Sequence, residues 1–436
     1  MCASPGEPPA GVGSSTPTLF LLVDAIPHDL AREVWADGGL PGFAEPRPTV
    51  SVFPSLTEVA VPSLLREIFP ARPPGYEARF YHVPSGEIRG PGDPESEAAL
   101  APFAARPRGL VAEAAIYLLR GRLAYAQIRW ITHRFQHEGG PWLGYLSATD
   151  GVAHFSGREG LARCFRDIGA SVHDLRLEHE RRHGVLPGAV LCSDHGVAFG
   201  DLDHLSAHEL GERLERAGFH LGRGGRDGAL LVPYGDVAGG VVHVDAARAG
   251  DAAEVVIRAP GVDLAFAREE AGALVLGGAG ASRARVRWRN ASYHYDAERG
   301  DPLDYVAVWE ALERAGRLRD GWAEDADLFA HTRSHRYPDA LARVRLALGD
   351  LVLYPAPVLF SMQDSFTYGP ALTHAGARLL GGLVGNHGSL SARQSLGFAA
   401  VTRNGDDPWR GAPTLRPEDV FRPWAEVLRS GRPDAG

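Results

Sequence analysis

Three apolar runs in this chain lead into an aspartate, and they constrain its fold most. Thr18 to Val23 (TLFLLV) ends at Asp24. Trp142 to Ser147 (WLGYLS) leads into Asp150, and Gly188 to Cys192 (GAVLC) into Asp194. A short run that is apolar at every position reads as a strand buried on both faces, and such strands belong to parallel sheets. Between the runs the period changes. His28 to Ala36 reads as a helix stopped by Gly38-Gly39. Gly109 to Phe135 is a long helical stretch. Arg158 to Arg182 repeats Leu161, Cys164, Phe165, Ile168, Val172 and Leu175 at three- and four-residue steps. Strand and helix alternate from 18 to 200. That pattern predicts an α/β protein, a three-layer α/β/α sandwich with a mostly parallel central sheet.

The remaining segments divide the chain. Pro48 to Pro54 reads as extended. Thr57 and Glu58 can cap the apolar stretch Val59 to Leu65, where Pro62 permits one short helical turn before it. Glu77 to Val83 (EARFYHV) reads as a strand. After a helix at Ser206 to Ala217, residues 218–298 are β-rich, with AEVVIRA, VDLAFARE, ALVLGG and RARVRWR between Gly and Asp. Helices follow near 303–316 and 337–347, and Asp350 to Phe360 reads as a returning core strand. The expected organisation is a disordered leader over 1–17 and a core over 18–200 and 345–404. Residues 201–344 form an inserted, smaller β-rich cap, and 405–436 a tail with one helix near Pro417 to Arg429. No internal repeat is visible.

Composition excludes several functions. All 45 basic side chains are arginine. Without lysine there is no P-loop, no Schiff-base nucleophile and no kinase strand lysine. Abundant Arg, Ala, Gly and Pro point to a GC-rich coding sequence as the cause. A net charge of −9 argues against a surface that coats nucleic acid. No apolar run reaches 18 residues, so no membrane span is expected. Met1 to Pro17 lacks the basic and apolar regions of a signal peptide. Cys2, Cys164 and Cys192 are too scattered for a disulfide framework or a thiolate zinc site, and a cytoplasmic location fits.

Chemistry gathers at the strand ends, where open α/β sheets bind ligands. Asp24 follows the first strand. Asp150 and His154 (TDGVAH) follow the second, and Asp194 and His195 (SDHG) the third. His387 (GNHGSL) lies late in the chain, and Thr57 follows the extended segment. Taken singly, an Asp after a strand is most often a cap or turn residue. Together, three Asp and three His are hard oxygen and borderline nitrogen donors. That set suits two divalent ions, zinc first and manganese as the alternative.

These segments resemble the alkaline phosphatase superfamily, in particular its nucleotide pyrophosphatase/phosphodiesterase branch. There a threonine nucleophile follows a Phe-Pro pair, as in Phe53-Pro54-Ser55-Leu56-Thr57. The Asp-x-x-x-His, Asp-His-Gly and late His-Gly elements correspond to Asp150 to His154, Asp194 to Gly196 and His387-Gly388. Asp24 corresponds to the first-strand aspartate. The resemblance implies that Asp24, Thr57, Asp194 and His195 hold one metal, and Asp150, His154 and His387 the other. It implies a small-molecule phosphoester or anhydride as substrate, and a phospho-threonine formed on Thr57. Two ions roughly 3.5–4 Å apart stabilise the entering and leaving oxygens.

One departure stands beside the nucleophile. The branch carries Phe-Pro-Asn after its threonine, and that Asn binds a phosphoryl oxygen. Here Glu58, Val59 and Ala60 follow. Glu58 is either a first-turn helix acid or a group that repels anions. Any cationic help must then come from metal or from arginine. The departure also keeps two rivals in view: a phosphonate hydrolase on the same scaffold, and a metal-binding protein that has lost turnover. Substrate choice would rest with the 200–350 region.

Other motifs read as ordinary structure. The pairs His133/His137, His204/His208 and His331/His335 lack the Glu of a zincin and read as surface or satisfied histidines. Gly277 to Gly280 reads as a turn. Arg283, Arg285, Arg287 and Arg289 alternate on one strand face, as on an exposed edge that deters pairing. The Asn290-Ala291-Ser292 sequon is inert without secretion.

Overall fold

A computed structural model describes residues 16–95, 110–138, 141–222, 225–403 and 407–430. The leader expected over 1–17 lies almost wholly outside these residues, as does Cys2. Five strands form the core sheet, in the order Arg47–Val50, Leu396–Val401, Gly188–Cys192, Thr18–Val23, Trp142–Leu146. The three runs read from the sequence are its last three strands, and all run parallel.

Their register decides where the chemistry goes. Leu22 pairs with Tyr145 on one side and Cys192 on the other, so the three strands end level. Asp24, the turn before Asp150, and Asp194 therefore emerge at one end of the sheet. Successive side chains of a strand point to opposite faces. Leu19, Leu21 and Val23 pack against Leu30 and Val34 of helix His28–Ala36 and against Phe165 and Ile168. Phe20 and Leu22 pack the other way, on Val61 and Leu64 and on Phe421 and Trp424 from the C-terminal segment. Each such side chain contributes roughly 1.5–3 kcal/mol on leaving water. These are the three layers read from the sequence.

The second sheet differs from expectation. It has ten strands, and one of them comes from beyond the expected cap boundary at 344. Val358–Met362 lies in it, antiparallel to both Gly239–Val244 and Val262–Glu269. The expected returning strand at Asp350–Phe360 therefore belongs to the cap, and the core strand is Leu396–Val401, antiparallel to Gly188–Cys192. Both strands are apolar and buried, so composition does not tell which sheet receives them. The arginine row is also corrected. Ser282–Arg289 pairs on both sides and is no edge. Arg283 meets Glu254 and Glu298, Arg285 meets Glu269, and Arg289 lies over Trp322. Acids on adjoining elements thus pair with Arg283 and Arg285. Gly278–Gly280 is a turn, as read.

Smaller differences follow from local chemistry. The strand read at Glu77–Val83 shrinks to Phe80–His82, and the Glu77 carboxylate ahead of it accepts from the Tyr234 and Gly235 amides. Helix Ala148–His183 begins earlier than read and breaks at Gly157, whose φ is +66°. Among the described residues no helix is long and apolar enough to cross a membrane.

One buried cation joins the cap to the core. Arg343, on helix Ala340–Leu348, donates to the carbonyls of Pro338, Leu390 and Val52 and to Ser395 Oγ. Burial pushes its guanidinium down to about 10. It thereby holds the two loops that carry Thr57 and His387. Arg343→Met leaves those buried acceptors unpaired, so it should cost about 3 kcal/mol. Denaturant unfolding measures this, and a variant as stable as the parent refutes the clamp.

Candidate active site

The seven residues read from the sequence converge. Asp24 leaves its strand with its amide on Leu146 O, and Ala25 turns the chain through φ +59°. That turn lets the Ala25 amide donate to Asp194 Oδ1 at 3.3 Å. Thr57 is the first residue of helix Thr57–Leu64, which runs two residues past Pro62. The helix is capped by the extended Leu56, and the Thr57 hydroxyl lies 3.3 Å from His195 Nε2. Asp150 and His154 sit four apart on one helical face. Gly196 has no room for a side chain, since a Cβ would stand 2.6 Å from Arg393 O. His387 is held by Ala238, whose amide donates to its carbonyl at 2.7 Å.

Two groups result. Asp150 Oδ1 lies 3.2 Å from His154 Nε2 and 3.5 Å from His387 Nε2. His195 Nε2 lies 3.3 Å from Asp194 Oδ2 and 3.6 Å from Asp24 Oδ1. The stacked rings of His195 and His387, 3.9 Å apart, join the groups.

Both groups have what a cation needs. Donors about 2.1 Å from a tetrahedral ion lie roughly 3.4 Å apart, and the four distances bracket that value. Asp24 Oδ1, Asp150 Oδ1 and Asp194 Oδ2 are buried without a hydrogen-bond partner, and such atoms are rare and costly in a folded protein. The histidines are oriented alike. Nδ1 of His154 faces Gly385 O at 2.8 Å, that of His387 faces Ser55 O at 2.9 Å, and that of His195 faces Gly196 O at 3.1 Å. A carbonyl can only accept, so in the neutral ring Nδ1 carries the proton and Nε2 offers its lone pair inward.

The electrostatics show the strain of gathering these groups. Burial, with Asp194 and Asp150 beside it, pushes the Asp24 carboxyl well above the usual range. Burial lifts Asp194 to about 6. Burial also works to raise Asp150, but His154 and His387 outweigh it and hold that carboxyl well below normal. His195 is pushed well down by burial and by His387. Like charges out of water destabilise one another, and a bound cation relieves that repulsion.

Some supporting residues gave no sequence signal. Tyr145 donates to Asp24 Oδ2 from inside an apolar strand. Tyr117 donates to Asp150 Oδ2 at 3.3 Å, and Arg120 beneath it donates to Tyr117 O. Glu58 takes the first helical turn, as one of its two readings had it. One reading is corrected. His204 is not a surface or satisfied histidine paired with His208. It lies largely buried against Asp236 and His374, while His208 is exposed. Strand Asp203–Ser206 ends between them, so the helical i, i+4 relation never forms.

No family model matches the sequence, and no curated protein matches it. Solved structures do. Phosphonoacetate hydrolase from Sinorhizobium meliloti 1021, in complexes with phosphonoformate and with phosphonoacetate, aligns with TM-scores of 0.51 and 0.52. Identity is 12%, over 95% of each chain. Murine ectonucleotide pyrophosphatase/phosphodiesterase 5 in complex with AMP aligns at 0.48, with 8% identity over 95% of each chain. The chain thus has the alkaline-phosphatase-type α/β fold that the sequence resemblance implied.

The carboxylate crowding makes a test. In EDTA-treated protein, Asp194→Asn removes one buried negative charge and keeps an oxygen for the Ala25 amide, so melting temperature should rise. Added zinc or manganese should stabilise the parent and the variant much less. Scanning fluorimetry reads both. A parent whose melting ignores both ions refutes the cation reading.

Proposed function

We propose that this chain is a metal-dependent phosphohydrolase acting on small phosphoesters or phosphoric anhydrides, phosphodiesterase- or nucleotide pyrophosphatase-like, with Thr57 as nucleophile. One observation carries the reading: the Thr57 hydroxyl sits 3.3 Å from His195 Nε2, among carboxylates with unpaired oxygens. Asp24, Thr57, Asp194 and His195 would hold one divalent ion; Asp150, His154 and His387 would hold the other. Bound ions of this kind supply Lewis acidity, which favours a threonine alkoxide and offsets charge on the phosphoryl oxygens.

The chain's residues supply the rest. Thr57 opens a helix, whose dipole favours negative charge on the attacking oxygen. Tyr145 and Tyr117 orient the carboxylates of Asp24 and Asp150, and three backbone carbonyls fix the histidine rings. Thr57 Oγ1 gives its proton to solvent water and bonds to phosphorus. The bond from phosphorus to the leaving oxygen breaks, and that oxygen takes the electron pair. Water then attacks the phospho-threonine. Its oxygen bonds to phosphorus, the Thr57 Oγ1–P bond breaks with its electron pair on Oγ1, and a proton from the attacking water restores the hydroxyl.

A second reading changes only the bond cleaved. The likeness of fold to a phosphonoacetate hydrolase supports phosphonate hydrolysis, in which the P–C bond breaks and carbon takes the electron pair and a proton from water. A panel of p-nitrophenyl phosphate, bis-p-nitrophenyl phosphate, a dinucleotide pyrophosphate and phosphonoacetate separates the two. Thr57→Ala should lower kcat by roughly 10³-fold or more, whereas Thr57→Ser should retain part of it. Full activity in Thr57→Ala overturns the nucleophile assignment. Preference for phosphonoacetate selects the second reading.

A further inference from the structure

His204, Asp236 and His374 form a third cluster of metal-type donors, apart from the seven residues above. His204 lies on strand Asp203–Ser206, Asp236 in the loop before strand Gly239–Val244, and His374 on helix Ala371–Leu379. One donor atom from each lies within 4.8 Å of the others. His374 Nδ1 is 3.2 Å from Asp236 Oδ2, and His204 Nδ1 is 3.8 Å from Asp236 Oδ1. The two imidazoles stack at 4.0 Å, 10° from parallel. The active centre shows the same pattern of stacked rings beside a carboxylate.

Two atoms of this cluster are unsatisfied. Asp236 Oδ1 and His204 Nε2 are buried with no hydrogen-bond partner, and the Asp236 side chain is only 4% exposed. Neither tautomer of neutral His204 repairs this. With Nδ1 protonated, that N–H goes to Thr367 Oγ1 at 3.1 Å, and the Nε2 lone pair is left facing nothing. With Nε2 protonated, a buried N–H has no acceptor. The backbone also leaves room. A Cβ at Gly369 would stand 2.4 Å from Asp236 Oδ1, so only glycine there lets the carboxylate sit as it does.

We propose that His204, Asp236 and His374 bind a further divalent transition-metal ion, such as zinc, separate from the active centre. Two imidazoles and one carboxylate make a zinc-type donor set, with a fourth position open to water. The ion would fasten helix Ala371–Leu379 to the cap. That helix is otherwise loosely held, with Ala377 its one buried residue. The chain beyond it leads directly to the active centre, where the Val384 amide donates to His154 O and Gly385 O receives His154 Nδ1. A cation here would therefore steady the segment that orients a histidine of the active centre.

The test does not use turnover, so it is independent of the proposed phosphohydrolase activity. Protein stripped with a chelator is dialysed against zinc, and bound zinc is counted by mass spectrometry. The count is made in the parent and in an Asp150→Asn/Asp194→Asn background. His374→Ala should remove one equivalent in both. His204→Gln, whose amide keeps a partner for Thr367, should do the same while melting as a folded protein. Zinc should also slow hydrogen exchange over residues 371–379 by roughly fivefold or more in the parent, and not in His374→Ala. Equal zinc content with and without His374, or exchange that zinc leaves unchanged, overturns the proposal.

Discussion

Asp24, Asp150 and Asp194 each bring a buried carboxylate oxygen without a hydrogen-bond partner to the same end of the core sheet. Much of the structure is arranged around that crowding. Buried like charges cost free energy unless something compensates. Here the partial compensation comes from the Ala25 amide, from Tyr145 and Tyr117, and from the histidines of the two groups. The atoms left without a partner are carboxylate oxygens, the hard donors that divalent cations take.

The crowding exists because of strand register. Three parallel strands ending level put their following residues side by side, and no local preference of Asp24, Asp150 or Asp194 would do so. The fourth and fifth contributions come from far away in sequence. Thr57 arrives at the start of a helix, and His387 on a loop pinned to Ser55 and Ala238. Arg343 holds both loops from behind through backbone carbonyls. An arginine thus serves the site by positioning its backbone, the task left to arginine in a chain without lysine.

How much was legible follows from what each residue needed. The strands that carry Asp24, Asp150 and Asp194 were readable because continuous apolar runs are distinctive. His154 was readable because it shares a helical face with Asp150. The apolar run at Asp350–Phe360 does not reveal which sheet its strand joins, because burial on both faces looks alike in either. His204 looked ordinary, since Asp236 and His374 lie 32 and 170 residues further along the chain. The arginine row looked like an edge because its acids sit on other elements.

The sequence by itself determined the alternation of strand and helix, the polar residues at the strand ends, and the donor types they offer. Those are local properties, set by apolar periodicity and side-chain chemistry. Only the tertiary structure decided the rest. It chose which strands close the core sheet, which ring nitrogen each histidine turns inward, and that a third donor cluster lies beside the site. Each of these depends on partners distant in the chain, whose meeting is a matter of packing and register rather than of any one segment's preference.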